Sequence, residues 1–289
     1  MVNCILGFLL LLTLYYSWYF VRDLYSTRGA WGTGSWHINF LIGWITNFLD
    51  TLGIGRFAKT TMALTVTKQM TNDKLLPGTL LVADTIPVML EAFIFIVSVE
   101  VESVTLCALL LAAISGAKLG AKFVPRLPER KVQLYLGCAL LITAVFMAGK
   151  QLGLMTFLGT GNMAVELTGW RLFVGIIGNF VLGGLMTVGC GLYAPCMAMV
   201  YLLGLSPKIA FPVMMGSCAA LMPVAATEFI VAGDYARKNS VAILLGGIAG
   251  VYIAAKYVIG MDINLLIWLV ISVVTYTGCI YIKKSKKKN

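Results

Sequence analysis

The chain has 289 residues, 60% of them hydrophobic and 12% charged, with a formal net charge of +10 and a mean hydropathy of +0.90. Charged residues make up roughly a quarter of an ordinary soluble domain. This composition therefore excludes a soluble enzyme, a secreted mini-protein, a coiled coil and a disordered chain, each of which needs more polar surface, and places the protein in a lipid bilayer.

Five of the 22 basic residues, Lys283, Lys284, Lys286, Lys287 and Lys288, stand in the last seven positions. A positive run beside a final apolar segment reads as a cytoplasmic anchor rather than a nucleic-acid site, so no nucleic-acid partner is expected. The seven cysteines, Cys4, Cys107, Cys138, Cys190, Cys196, Cys218 and Cys279, fall mostly in apolar stretches without the paired spacing of a zinc site or a disulfide framework. With His37 the single histidine, no metal and no cofactor are expected.

In chain order, residues 1–36 form an N-terminal transmembrane helix and a loop. The apolar run 2–21 has neither a basic segment before it nor a small-residue cleavage site after it, so it reads as a retained helix. Segment 38–70 holds about 15 largely apolar residues, then Gly53-Ile54-Gly55-Arg56, then about 14 more from Phe57 that fit a helix. Runs 77–97, 103–123 and 131–148 follow, each close to the roughly 20 residues of a spanning helix. Segment 171–204 repeats the interrupted plan around Gly189-Cys190-Gly191, and runs 208–231, 241–257 and 263–282 complete the chain. At about 1.5 Å per residue most limbs of the interrupted segments reach only ~20–25 Å, short of a ~30 Å hydrocarbon core. Each segment is therefore expected to be a hairpin that enters and leaves by one face.

Loop charges support that parity, because short cytoplasmic loops collect Lys and Arg. Lys122, Arg126, Arg130 and Lys131, together with the Lys tail, fix two cytoplasmic points. Counting back places Arg22, Arg28, Lys68, Lys74, Arg237 and Lys238 inside and Glu100 and Glu102 outside, while Lys150, Arg171 and Lys208 fall against the rule near the outer face. The count closes only if both hairpins return to their starting faces, the first from the cytoplasm and the second from outside. The expected fold is thus an all-α polytopic membrane protein of two inverted-topology repeats, residues 37–150 and 151–289. Each repeat has a Gly-centred helical hairpin plus three spanning helices, and one extra N-terminal helix precedes them. A shift of 136 residues lays Thr51 on Thr187, Gly53 on Gly189, Gly55 on Gly191, Ala58 on Ala194 and Pro87 on Pro223. Inverted repeats around broken helices are a plan of secondary transporters.

Glycine at 53, 55, 189 and 191 permits positive φ and close backbone approach to a ligand, or simply a tight turn. The second limb of each hairpin starts at the tip, so helix N-termini near Arg56 and Leu192 aim their N–H groups and positive dipole ends at the membrane interior. Such ends favour an anion. Arg56 and Lys59 add charge where an ionisable residue is costly and marks function. The expected substrate-binding set is therefore Gly53, Gly55, Arg56, Lys59, Gly189, Cys190, Gly191 and Tyr193. Asp50 is the alternative partner of Arg56, a closed gate that substrate opens by competing for the guanidinium. Asp84 and Glu91, seven apart on one helix face, are read either as carriers of a proton or as partners of Lys118 or Lys122. Glu228 occupies the matching span of the second half, and Pro87 and Pro223 interrupt both spans, freeing carbonyls. Met197, Met199, Met214, Met215 and Met222 read as adaptable packing.

Asp50-Thr51-Leu52-Gly53-Ile54-Gly55 with Pro77-Gly78-Thr79-Leu80, and in the second half Gly191-Leu192-Tyr193-Ala194-Pro195-Cys196-Met197 with Phe211-Pro212-Val213-Met214-Met215-Gly216-Ser217-Cys218, resemble the sulfite exporter TauE/SafE family, also called the toluene sulfonate uptake permease family. The resemblance covers roughly 38–125 and 171–258. It implies a multi-pass carrier for sulfite, thiosulfate or organosulfonates and no catalytic residue. Where the family usually places small or uncharged residues at the first tip, this chain has Arg56 and Lys59.

The expected function is therefore a secondary carrier for small sulfur-containing anions, bound at the midplane between the two tips, with proton coupling or gating through Asp50, Asp84 and Glu91. It is expected in the cell membrane with a cytoplasmic C-terminus. The partners are a small anionic substrate and the bilayer, and self-association into a homo-oligomer is left open. A passive anion channel is the alternative. An intramembrane lipid-phosphate enzyme would want a serine beside Arg56, and a rhomboid-type protease a serine and histidine in reach of each other; neither pattern is offered.

Overall fold

Hydrocarbon offers no water to backbone N–H and C=O groups, so a chain this apolar pairs them within itself, and helices do so locally. The computed structural model describes residues 2–27, 31–70, 72–123, 128–154, 164–186 and 191–286. These residues form eleven α-helices: α1 (Val2–Ser26), α2 (Trp36–Thr51), α3 (Phe57–Val66), α4 (Leu76–Ser98), α5 (Ser103–Phe123), α6 (Glu129–Gln151), α7 (Gly169–Met186), α8 (Tyr193–Leu202), α9 (Ala210–Ala232), α10 (Arg237–Gly260) and α11 (Ile263–Lys286). Thr187, Gly189 and Cys190 of the second tip lie outside the described residues, as do Arg28, Arg126, Lys287 and Lys288 and the side chain of Lys122.

Among the described residues, eight helices are long and apolar enough to cross a membrane. The seven expected spans are all among them, and the eighth is α7, which the sequence reading treats as a hairpin limb. At 18 residues α7 reaches about 27 Å, because its glycines serve as packing positions and do not break it. The remaining limbs are short: α2 has 16 residues, α3 and α8 ten each. α3 stops earlier than the expected 14 residues because Lys68 turns to a φ of +52° and the amide of Gln69 donates back to Leu64 O at 3.0 Å, closing the helix end.

One succession of elements occurs twice. A long limb and a ten-residue limb (α2 and α3; α7 and α8) lead through a short 3-10 turn into a 23-residue helix with an internal proline, α4 with Pro87 and α9 with Pro223, and two further long helices follow each time. The feet of each hairpin meet. Beneath α2 and α3, the Ser35 amide donates to Gln69 Oε1 at 2.7 Å; beneath α7 and α8, the Ser206 amide donates to Ala164 O at 2.9 Å. Each hairpin therefore begins and ends at one level.

The chain divides into two compact units. Residues 1–96 with 218–259 form the first, and 97–217 with 260–289 the second. In the first unit α1 docks through Tyr16 and Phe20, packed with Val82, Ala226, Ile230, Tyr235 and Leu244. Tyr16 Oη donates to Val82 O at 2.6 Å, and Arg237 grips Asp23 with two nitrogens at 2.7 and 2.9 Å. Asn239 at the start of α10 donates to Gln69 O at 3.0 Å, and the Ala236 amide donates to Thr79 Oγ1 at 2.9 Å near the start of α4. Arg22, Lys68, Lys74, Arg237 and Lys238 thus gather at one end of this unit, the grouping that the loop charges require.

Lipid supplies no hydrophobic drive between helices, so small residues that let backbones approach take over. α2 and α10 show it: a Cβ added to Gly43 would stand 2.1 Å from Ile243 O, and one at Gly246 only 2.0 Å from Phe40 O. In the second unit α5 and α7 use the same device, Gly116 against Phe180 O at 1.9 Å. Gly246→Ala is expected to destabilise the protein by about 1–3 kcal/mol through overpacking. Gly260→Ala, where nothing lies within 4 Å, is the control and should stay within about 0.5 kcal/mol. Thermal unfolding in detergent measures both.

Candidate functional site

The first tip is built by a helix stop. After α2 the chain turns through Gly53, whose φ is +91°; its amide donates to Asp50 O at 2.7 Å and that of Ile54 to Leu49 O at 3.0 Å. Of the two glycines of the first tip, Gly53 adopts the left-handed region. Gly55 does not, and an added Cβ would meet nothing within 4 Å there and only Tyr281 Oη at 3.5 Å at Gly191. Of the two uses that the sequence allows these glycines, Gly53 shows the positive φ of a tight turn, and Gly55 lies in the run-in to α3.

That stop aims Asp50 at the start of α3. Its Oδ1 accepts the backbone N–H of Arg56 at 2.9 Å, and its Oδ2 pairs with Arg56 Nη1. The anion position at this helix N-terminus is thus filled by the protein's own carboxylate. Arg56 Nε lies 3.1 Å from Asp84 Oδ2 on α4, an ion pair whose alignment falls short of a hydrogen bond. Its Nη2 donates to Met222 Sδ on α9 at 3.1 Å. One guanidinium therefore ties α2, α4 and α9.

Two rungs extend the cluster along α2 and α4. Asn47 Nδ2 donates to Asp84 Oδ1 at 3.1 Å, and Thr51 Oγ1 donates to Glu91 Oε1 at 2.7 Å. The pairings ascend both helices in the same order, so α2 and α4 run parallel, as a returning α3 between them requires. Asn47, Thr51, Asp84 and Glu91 are wholly buried, and Asp50 and Arg56 retain 1% and 2% exposure. Two carboxyl groups meet one guanidinium, and a third, Glu91, lies further along α4 on the Thr51 hydroxyl. Glu91 Oε2 and Asn47 Oδ1 have no hydrogen-bond partner among the described residues. Gly247 of α10 backs the cluster; a Cβ there would stand 2.7 Å from Pro87 Cγ and 2.9 Å from Asn47 Nδ2.

Of the residues singled out from the sequence, Asp50, Arg56, Asp84 and Glu91 come together, and Gly53 frames them. The partner of Asp84 is Arg56, a pairing the sequence did not suggest; it offered a proton-carrying role or a pair with Lys118 or Lys122. Lys59 folds back on the turn, its Nζ donating to Ile54 O and Gly55 O at 2.8 Å each. Gly191 and Tyr193 belong to the second unit, where Gly191 O accepts from Tyr281 Oη at 3.2 Å and Tyr193 is buried at the start of α8. Glu228 is exposed, unlike the carboxyls it was grouped with.

Residues 74–281 match the family described as sulfite exporter TauE/SafE. The chain belongs to the sulfite exporter TauE/SafE family. With its eight membrane-length apolar helices it is a multi-pass membrane protein of a transporter family. No curated protein and no solved structure matches it significantly. The TauE/SafE match takes in Asp84, Glu91 and Met222 and begins after the first hairpin, so Asp50 and Arg56 lie outside it.

Asn47 and Thr51 were missed as site residues, and Met222 was read as packing. The signal for the first two was available: a polar pair four apart on a short apolar helix, opposite carboxyls seven apart on the next span. In this TauE/SafE-family protein the second unit carries a similar buried amide, Asn179 of α7, which donates to Leu109 O at 2.7 Å and stands 3.4 Å from Ser217 Oγ on α9.

Breaking one partner of a buried ion pair costs about 3–5 kcal/mol. Asp50→Asn and Arg56→Gln are each expected to destabilise strongly, and the double variant to cost less than the two singles added, with a coupling of about 1 kcal/mol or more. Chemical unfolding of the four proteins in detergent measures the cycle; strict additivity would contradict the pairing.

Proposed function

We propose that this TauE/SafE-family protein is a secondary carrier of small sulfur-containing oxyanions, sulfite, thiosulfate or organosulfonates, without catalytic chemistry. The observation that carries the reading is the position of Asp50, with one oxygen on the Arg56 amide at 2.9 Å and the other on its guanidinium. A sulfite or sulfonate group presents oxygens that fit the same two donors, so Asp50 stands where substrate would stand. Substrate then opens the gate by replacing a protein carboxylate.

Displacement leaves Asp50 buried without its cation, a state a proton relieves, which gives a physical reason for coupling. Asp84 stays tied to Arg56 and Asn47, whereas Glu91 has the Thr51 hydroxyl and no cation at hydrogen-bonding distance. Glu91 is therefore our choice for the group that holds the coupling proton. The twofold succession of hairpin, proline-containing helix and two further helices supports an inverted-topology repeat. The basic residues collected at one end of the first unit support a cytoplasmic orientation of that end.

Counterflow of radiolabelled sulfite into proteoliposomes tests the carrier. Saturable uptake, stimulated by unlabelled sulfite on the other side, is expected. Arg56→Lys, which keeps the charge but not the fork of nitrogens, should lower it at least about tenfold. Glu91→Gln should preserve counterflow and abolish the response to an imposed pH gradient. Flux that neither saturates nor shows counterflow would replace the carrier with a channel.

A further inference from the structure

Arg56 does not hold its partners equally. Asp50 and Asp84 are carboxylates, which form charge-assisted contacts with a guanidinium, whereas the thioether of Met222, which accepts from Nη2, is an uncharged and weak acceptor. The contact joins residues 166 apart in sequence, and Met222 is 1% exposed, so the sulfur is held there by packing. It stands immediately before Pro223, the internal proline of α9, and the Pro223 carbonyl is occupied by the Thr227 hydroxyl at 2.8 Å.

A nitrogen committed to a weak acceptor is the one an incoming oxyanion takes most readily. A carboxylate must be displaced against its own charge, whereas a thioether gives up little. Resting on the carrier reading above, we propose that Met222 is a specificity-determining residue: it occupies the Arg56 Nη2 position that a substrate oxygen takes, and its poor acceptor strength sets how strongly the anion is bound. Engagement begins on the Met222 side of the guanidinium, and exchange with Asp50 follows. Met222 acts as a placeholder, keeping the nitrogen covered in the empty site without competing strongly for it.

Two substitutions of similar length move the acceptor strength in opposite directions. Met222→Gln puts an amide oxygen on Nη2 and competes with the substrate; Met222→Leu removes the acceptor and leaves the nitrogen to the substrate. In sulfite counterflow with proteoliposomes, KM should rise about tenfold for Met222→Gln, the size of effect expected when a neutral oxygen bonds a charged donor. For Met222→Leu it should fall below the parent value, with maximal rates within about threefold in both. Thermal unfolding in detergent monitors folding of both variants. A packing role alone would raise KM or lower the rate in both variants together, and that result, or an unchanged KM in Met222→Gln, overturns the inference while leaving the carrier reading standing. Absence of counterflow in the parent protein overturns the carrier reading and this inference with it.

Discussion

A guanidinium and three carboxyl groups buried in an apolar chain impose the constraint on which the rest of the first unit depends. A lone charge in that setting is prohibitive, and a pair is tolerable only with tight geometry and satisfied lone pairs. The structure meets the requirement by bringing three elements to one guanidinium: the end of α2 supplies Asp50, whose other oxygen takes the Arg56 amide at the start of α3, α4 supplies Asp84 and α9 supplies Met222. The hairpin exists, in this sense, to present Arg56 at depth. A helix that simply crossed would carry Asp50 and Arg56 past each other at the helical rise, without turning the carboxylate onto the next helix's first amide.

The surrounding packing follows from the same need. α10 closes over the Asn47 and Asp84 rung through Gly247, against Asn47 and Pro87, and its approach to α2 is made by Gly43 and Gly246, whose missing side chains let backbone meet backbone. At the other end, Gln69, Asn39 and Asn239 lock the feet of the hairpin to the start of α10. The tip is thus held from below by amide hydrogen bonds and from the side by close-packed backbone. Its charged apex rests on the pairings of Arg56 with Asp50 and Asp84, which the proposed carrier would exchange for an anion. Strong support around an exchangeable contact is the arrangement a carrier needs, because substrate binding must move one element without dissolving the bundle.

Much of this was legible in the sequence, and the limits were physical. Apolar length gave the seven long spans, and short limbs around Gly53 gave the first hairpin, because both depend on counts of residues against a fixed hydrocarbon thickness. Seven-residue spacing put Asp84 and Glu91 on one face. Sequence could not decide whether Arg56 points to a ligand, to water or to Asp50, since that choice lies in the turn geometry set by Gly53 and in a contact with Met222 166 residues away. It also could not tell Gly55 from Gly53, because conformational freedom is written in the residue type while its use is not. α7 was grouped with the short limbs because it precedes the second Gly-centred break, yet it is 18 residues long, with Gly183 packed against Ala113 of α5 and Gly178 against Met199 of α8.

The central claim is that substrate and Asp50 compete for the amide and guanidinium of Arg56. Hydrogen–deuterium exchange of the purified protein, followed by mass spectrometry across residues 49–60 with and without sulfite, tests it most directly. The account predicts that sulfite alters exchange in this stretch, at the Gly53 turn and at the first amides of α3, and that the change disappears in Arg56→Lys. Unchanged exchange across 49–60 at sulfite concentrations that saturate transport would contradict it.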